Sequence, residues 1–203
     1  MPAEKPNFVL VNSFIFTIVN NMDRELIVAQ TKKWIVDVVV GCNFCPFALR
    51  EVKRNTISFY VIEGNKADVV KALSAAVKTM DVQAAIETMF LILPQNFSRF
   101  SDYLKLVDAA NVQLSKEGYE GIYQVASFHP GYVFAGSSIN DAANYTNRSP
   151  YPMLHILREE SVSRAIDAHP DSTKIPVANI AFARQKGLAF MQRLAAACLN
   201  SIE

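Results

Sequence analysis

The chain has 203 residues, of which 51% are hydrophobic and 19% charged, with a net charge of +1. That size and balance fit one globular domain with a core large enough to fold unaided. The near-zero charge excludes a broad electrostatic footprint for nucleic acid or an anionic membrane, leaving only local basic patches such as Arg50, Lys53 and Arg54.

Three cysteines, Cys42, Cys45 and Cys198, provide no disulfide framework, so a reducing cytoplasm is the expected compartment. No apolar run approaches the roughly 20 residues needed to span a bilayer. The segment Phe8 to Val19 is apolar but interrupted by Asn12 and Ser13; with only Lys5 as a basic residue upstream and no small-residue cleavage site of the usual form, it reads as a poor signal-peptide candidate. It reads either as an added edge strand or as part of an upstream extension ahead of a start at Met22, and the second reading is preferred. The expected organisation is therefore an extension over residues 1–21 and a single domain over 22–203.

From Asp23 the pattern is helical, with Leu26, Ile27, Trp34, Ile35 and Val38 on one face and Gly41 at the end. The β-branched tail Val36 to Val40 makes a strand the competing reading there. A compact turn, Cys42-Asn43-Phe44-Cys45-Pro46-Phe47, follows. Thr56 to Ile62 reads as a strand, and Asn65 to Met80 as an amphipathic helix with Val69, Val70, Leu73 and Val77 inward. Thr88 to Leu93 reads as a buried strand ended by Pro94. Ser98 to Lys116 reads as a helix capped by Ser98 or Ser101, and Ile122 to Phe128 as a third strand.

After a His-Pro-Gly-Tyr turn, Tyr132 to Phe134 could add a short antiparallel strand, and residues 136–149 carry turn chemistry. Three helices are then expected: Tyr151 to Glu160 behind Ser149 and Pro150, Ser161 to Ala168, and Pro176 to Leu199 with Gly187 as a weak point. The expected fold is α/β, a small mainly parallel sheet of three to four strands flanked by helices, with a helical C-terminal third. The alternative is a ferredoxin-like α+β arrangement.

The strings WIVDVVVGCNFCPFA, QVASFHPGYVFAG and NYTNRSPYPMLHILREESV, with the echo IPVANI, resemble an uncharacterised bacterial family, domain of unknown function 1415. The resemblance covers roughly residues 23–188. It implies a cytoplasmic bacterial protein whose functional positions sit in those strings, and brings no reaction with it. The family pattern favours an apolar residue where Cys42 stands. The Cys-Pro-Phe-Ala turn also resembles the active-site turn of omega-class glutathione transferases, in which a thiolate caps a helix that follows a strand.

Cys45 is the first candidate for chemistry. If a helix resumes at Pro46, Cys45 occupies its N-cap, where exposed amides lower a thiol's pKa, and Arg50 lies one turn further on. The bland reading is a small buried hydrophobe between Phe44 and Phe47. Cys42 and Cys45 also form a Cys-x-x-Cys pair, the spacing of a redox dithiol or of half a zinc site.

His129 ends a strand before Pro130, at the edge where sheets with parallel strands gather functional groups. On the expected helix, Tyr151, His155 and Arg158 share one face. Asn144, Tyr145, Asn147 and Arg148 precede it and suggest an anion site built from free amides, amide side chains and a guanidinium, although turn and capping work is their ordinary occupation. No local spacing demands a metal, although Cys45, His129 and His155 are chemically able to bind one.

The expected function is a small enzyme acting on an anionic metabolite, with Cys45, His129 and His155 as catalytic groups. A ligand- or partner-binding module and a thiol redox protein using Cys42 and Cys45 are the alternatives. Cofactors and oligomeric state are open, and neither nucleic acid nor membrane is expected as a partner.

Overall fold

A computed structural model describes residues 23–169 and 171–200, so the readings of Phe8 to Val19 and of a start at Met22 lie outside the described residues. Helix α1 covers residues 23–34 and widens into a π-helical turn at Ile35–Val40. This is the β-branched stretch that also read as a strand, and branching at Cβ crowds a regular α-turn. Gly41 closes it at an ordinary helical φ of −62°. A Cβ there would lie 2.3 Å from the Asp37 carbonyl oxygen, so close packing rather than backbone freedom requires glycine.

The chain continues through α2 (Ala48–Arg54), β1 (Ile57–Val61), α3 (Lys66–Val82), β2 (Thr88–Ile92), α4 (Phe100–Lys116) and β3 (Tyr123–Phe128). A long connection containing a 3-10 turn at Ala142–Thr146 leads into β4 (Met153–Arg158). Helices α5 (Glu159–Asp167), α6 (Ile175–Lys186) and α7 (Leu188–Ala197) complete the fold. Asn65 caps α3 in a reciprocal capping box with Asp68, as its sequence position suggests. The cap of α4 is Arg99, not Ser98 or Ser101.

The fold is mixed α/β, but the sheet is not mainly parallel. Its strand order is β1-β2-β4-β3; only β1 and β2 are parallel, while β4 runs antiparallel to both β2 and β3. The chain order of elements also departs from the ferredoxin-like alternative. Three readings are corrected here. Tyr151 to Glu160 is mostly the central strand β4 rather than a helix, because a strand buried on both faces loses polar alternation and is hard to tell from a buried helix. Tyr132 to Phe134 forms no strand. Pro176 to Leu199 is two helices broken at Gly187, whose φ of 82° no ordinary helix accommodates.

Strand alternation sorts the core into two layers. Met89, Leu91, Leu154, Ile156 and Tyr123 face α3 and α4, whose Val69, Leu73, Val77, Tyr103 and Leu106 are fully buried. Phe90, Ile92 and Met153 face the other way, against Trp34, Ile35 and Val38 of α1 and its π turn, and against Ala183 and Met191 of α6 and α7. The cover on this second face is incomplete, and the candidate site lies in the gap.

Candidate functional site

A cavity of about 180 Å³ sits on the second face of the sheet. Its floor is Ile57 of β1, Thr88 and Phe90 of β2, Phe128 of β3, and His155 and Leu157 of β4. Trp34, Ile35 and Val39 cover it from α1 and the π turn. Cys45, Phe47 and Ala48 close one side, and Ser161, Val162 and Ala165 of α5 another. Ile57 and Thr88 are the first residues of their strands, so the cavity lies toward the N-terminal ends of the parallel pair. The C-terminal edge, where His129 is expected to contribute, is not where this cavity lies. That rule serves open, mostly parallel sheets covered by helices, and this sheet has one parallel pair.

His155 is held from three directions. Its ring stacks on Phe90 with centroids 3.8 Å apart and planes at 6°, and the two residues are register partners. Its Nε2 is hydrogen-bonded to the Thr88 hydroxyl. That hydroxyl has a single proton and donates it to the Ile156 carbonyl oxygen, which can only accept and lies 2.7 Å from the hydroxyl oxygen. Nε2 must therefore carry the imidazole proton, and Nδ1 carries the lone pair. Nδ1 has no hydrogen-bond partner among the described residues, and it is not among the side-chain atoms sealed from solvent without one. His155 lines the cavity, and Nδ1 is its ring nitrogen without a partner there. Burial pushes the imidazole pKa down to about 3, so the ring is neutral near pH 7.

Cys45 shares this cavity. It does not cap a helix: the cap of α2 is Phe47, two residues on, and a helical turn rather than a strand precedes it, unlike the glutathione transferase pattern. Burial raises its thiol pKa, and the backbone amides of Phe47 and Ala48 only partly offset this. The expected thiolate is therefore not the resting form. Cys42 is also raised by burial and belongs to the apolar layer around Phe44 rather than to the cavity wall. All three cysteines are unpaired.

Apart from Arg158, which also lines the cavity, the other expected site residues do not converge here. His129 is 1% exposed and fully engaged: Nδ1 accepts from the Gly131 amide at 2.9 Å, so Nε2 donates to the Phe97 carbonyl at 2.8 Å. It packs among Phe100, Tyr103 and Tyr132, away from the cavity lining. Asn144, fully buried, accepts from the Phe134 amide and donates to the Ser138 carbonyl. Asn147 donates to the Ser127 carbonyl and accepts from Thr146.

Arg148 donates from Nε and Nη2 to the Tyr132 and Ile139 carbonyls and lies over the buried Tyr145 ring. Its own carbonyl accepts from the Trp34 indole at 3.0 Å. The segment after Ser149 leads into β4 rather than a helix, so the helix-start amides expected to hold an anion do not form, and the amides of Asn147 and Arg148 both donate to the Asn144 carbonyl within the turn. Tyr151 donates its hydroxyl to Gln30. Arg158 spends all three nitrogens on the Ile86 carbonyl, the Met80 carbonyl and the Tyr123 hydroxyl. This block is a clasp that ties the β3–β4 connection to α1 and α4. The set Cys45, His129 and His155 is not gathered for a metal, and no group of three or more His, Cys, Asp or Glu suited to one exists among the described residues.

Sequence reasoning missed Thr88, Phe90, Phe128 and Glu87. The first two lie in TMFLIL, which reads as core; alternation within that strand was the available signal, since it puts Thr88 and Phe90 on one face.

A family model described as a protein of unknown function (DUF1415) matches residues 26–193. The chain belongs to this family. The match takes in all of the strings noted above, and with them the cavity. No curated protein matches the chain, and no solved structure does. No helix among the described residues is long and apolar enough to cross a membrane.

Proposed function

We propose that the cavity is a binding site for a small molecule built on a single ring, with His155 Nδ1 accepting a hydrogen bond from it. One observation carries this reading: a fixed, unpaired acceptor opens into a mostly apolar chamber with aromatic walls. Few polar groups converging in an apolar concavity are the usual chemistry of small-molecule sites. The volume is close to that of an engineered apolar cavity of about 150 Å³ that takes up benzene. Three unpaired cysteines support a reducing, cytoplasmic setting.

Magnitudes favour binding over thiol catalysis in the empty site. With the imidazole at about 3 and the Cys45 thiol raised above its ordinary range by burial, moving the proton from sulfur to nitrogen is unfavourable near neutral pH. A general base works best with a pKa near the working pH. The second reading, an enzyme with Cys45 as nucleophile and His155 as base, rests on both groups lining one cavity and requires a bound substrate to narrow that gap.

Calorimetric titration with p-cresol and with toluene tests the first reading. p-Cresol, which supplies a ring and one O–H donor, should bind and raise the melting temperature. In His155→Phe, which keeps the stacked ring and loses the acceptor, p-cresol should weaken about five- to tenfold while toluene is unaffected. Failure of p-cresol to bind, or equal loss of both ligands, would refute the assignment.

A further inference from the structure

Among the described α-helices, only α2 and α5 bury no residue, and both wall the cavity. In α5 the apolar side chains Val162, Ala165 and Ile166 follow at helical spacing, with Glu160, Ser163, Arg164 and Asp167 on the other side. Val162 and Ala165 line the cavity instead of packing into the core, and Ile166 is exposed.

The two ends of α5 are held very differently. Arg158, the residue before it, spends three nitrogens on two carbonyls and a tyrosine hydroxyl. The Glu159 amide then donates to the Ile122 carbonyl at 2.9 Å. Past that junction a single side-chain hydrogen bond leaves the helix among the described residues, from the Ser161 hydroxyl to Glu87 Oε2 at 2.7 Å. The bonds from Arg164 to Glu160 and Ser161 stay within the helix.

Just past the far end, His169 meets the ring of Phe47 across the gap toward α2, edge to face, with centroids 6.0 Å apart and planes at 89°. His169 Nδ1 is sealed from solvent there without a hydrogen-bond partner, the only side-chain nitrogen or oxygen so placed among the described residues. A buried polar atom without a partner costs free energy, which contact with water restores. The closed position of α5 is thus firm at its start, lightly latched at Ser161 and strained at its end.

We infer that α5 is a lid on the cavity. It pivots where β4 passes into it at Arg158 and Glu159, is latched by Ser161 on Glu87, and is clamped shut by a ligand resting against Val162 and Ala165. Few buried apolar contacts and few hydrogen bonds to the rest of the fold place an element at the low end of local stability, from which lids are drawn. A ring that fills the cavity supplies the packing that α5 lacks. The clamp rests on the ring-site reading; the pivot and the latch do not.

Amide hydrogen exchange in the full chain tests this, comparing residues 162–168 with the buried stretches of α3 and α4. Exchange in α5 should be the faster. Glu87→Ala, which removes the acceptor of the latch and leaves the helix untouched, should speed it about two- to tenfold with α3 unchanged. His169→Phe, which keeps a ring against Phe47 and removes the unpartnered nitrogen, should slow it severalfold. p-Cresol at about ten times its Kd should slow it about tenfold, because the open lid releases the ligand. An α5 that exchanges as slowly as α3, or that responds to neither substitution, overturns the lid. Binding of p-cresol with no slowing in α5 also overturns it and leaves the ring site standing. Failure of p-cresol to bind removes the ring site and the clamp together, and the two substitutions still decide whether α5 opens.

Discussion

The rings of Phe90 and His155 lie parallel across the β2–β4 ladder, 3.8 Å apart between centroids. With the plane fixed by stacking and Nε2 tied to Thr88, the direction of the Nδ1 lone pair is set by the sheet itself. Sites built on strands hold their geometry better than sites on loops. Thr88→Val preserves the shape of the strand and removes the hydroxyl. It should destabilise the protein by about 1–3 kcal/mol by leaving the imidazole N–H without its partner, and weaken p-cresol by releasing the tautomer. Denaturant unfolding and calorimetry read the two effects separately.

His155 also makes a pH signature. Below about pH 6.5 an unfolded imidazole takes up a proton, while the folded one, at about 3, does not. The unfolded state then binds more protons, so stability falls as pH is lowered from about 6.5 toward 3, by up to about 1.4 kcal/mol per pH unit. His129, also lowered by burial, contributes with the same sign. His155→Phe should flatten the slope in that window, and a variant with the wild-type slope would show that this imidazole is not held neutral.

His129 belongs to the clasp, where it bridges the Gly131 amide and the Phe97 carbonyl. His129→Ala should cost about 2–4 kcal/mol, since it leaves two buried backbone groups unpaired and opens a void. The affinity of the folded fraction for p-cresol should not change. A large loss of affinity with little loss of stability would move His129 into the site.

The Cys45 thiol is raised by burial. Its alkylation by iodoacetamide, followed against pH in a variant with Cys42 and Cys198 replaced by serine and alanine, should have a midpoint above the ordinary value of about 8.5. Saturating p-cresol should slow it. A midpoint well below that value would favour the thiol enzyme instead.

The middle of the fold was readable because two periodicities alternate there cleanly: Val69, Leu73 and Val77 mark a helix face, and TMFLIL marks a buried strand. β4 was not, because Tyr151, His155 and Arg158 fall at helical spacing behind Ser149 and Pro150, a credible helix start. As a strand, the same segment sends His155 and Arg158 to opposite faces, one to the cavity and the other to the α3 side. Cys45 and His155 could be picked out as reactive side chains from sequence. That they share a wall with Thr88 and Phe90 depends on strand order and register, which one sequence does not encode locally. The polar block from Gln124 to Glu159 misled for a simpler reason: hydroxyls, amides and guanidinium groups look alike on paper whether they await a ligand or satisfy backbone carbonyls.

The nitrogen-15 resonances of the His155 ring, recorded with and without p-cresol, test the central claim most directly. The account predicts a neutral ring protonated at Nε2 in both states, with the Nδ1 resonance moving as p-cresol saturates and Nε2 nearly still. A ring protonated at Nδ1, or an Nδ1 resonance indifferent to the ligand, would contradict it.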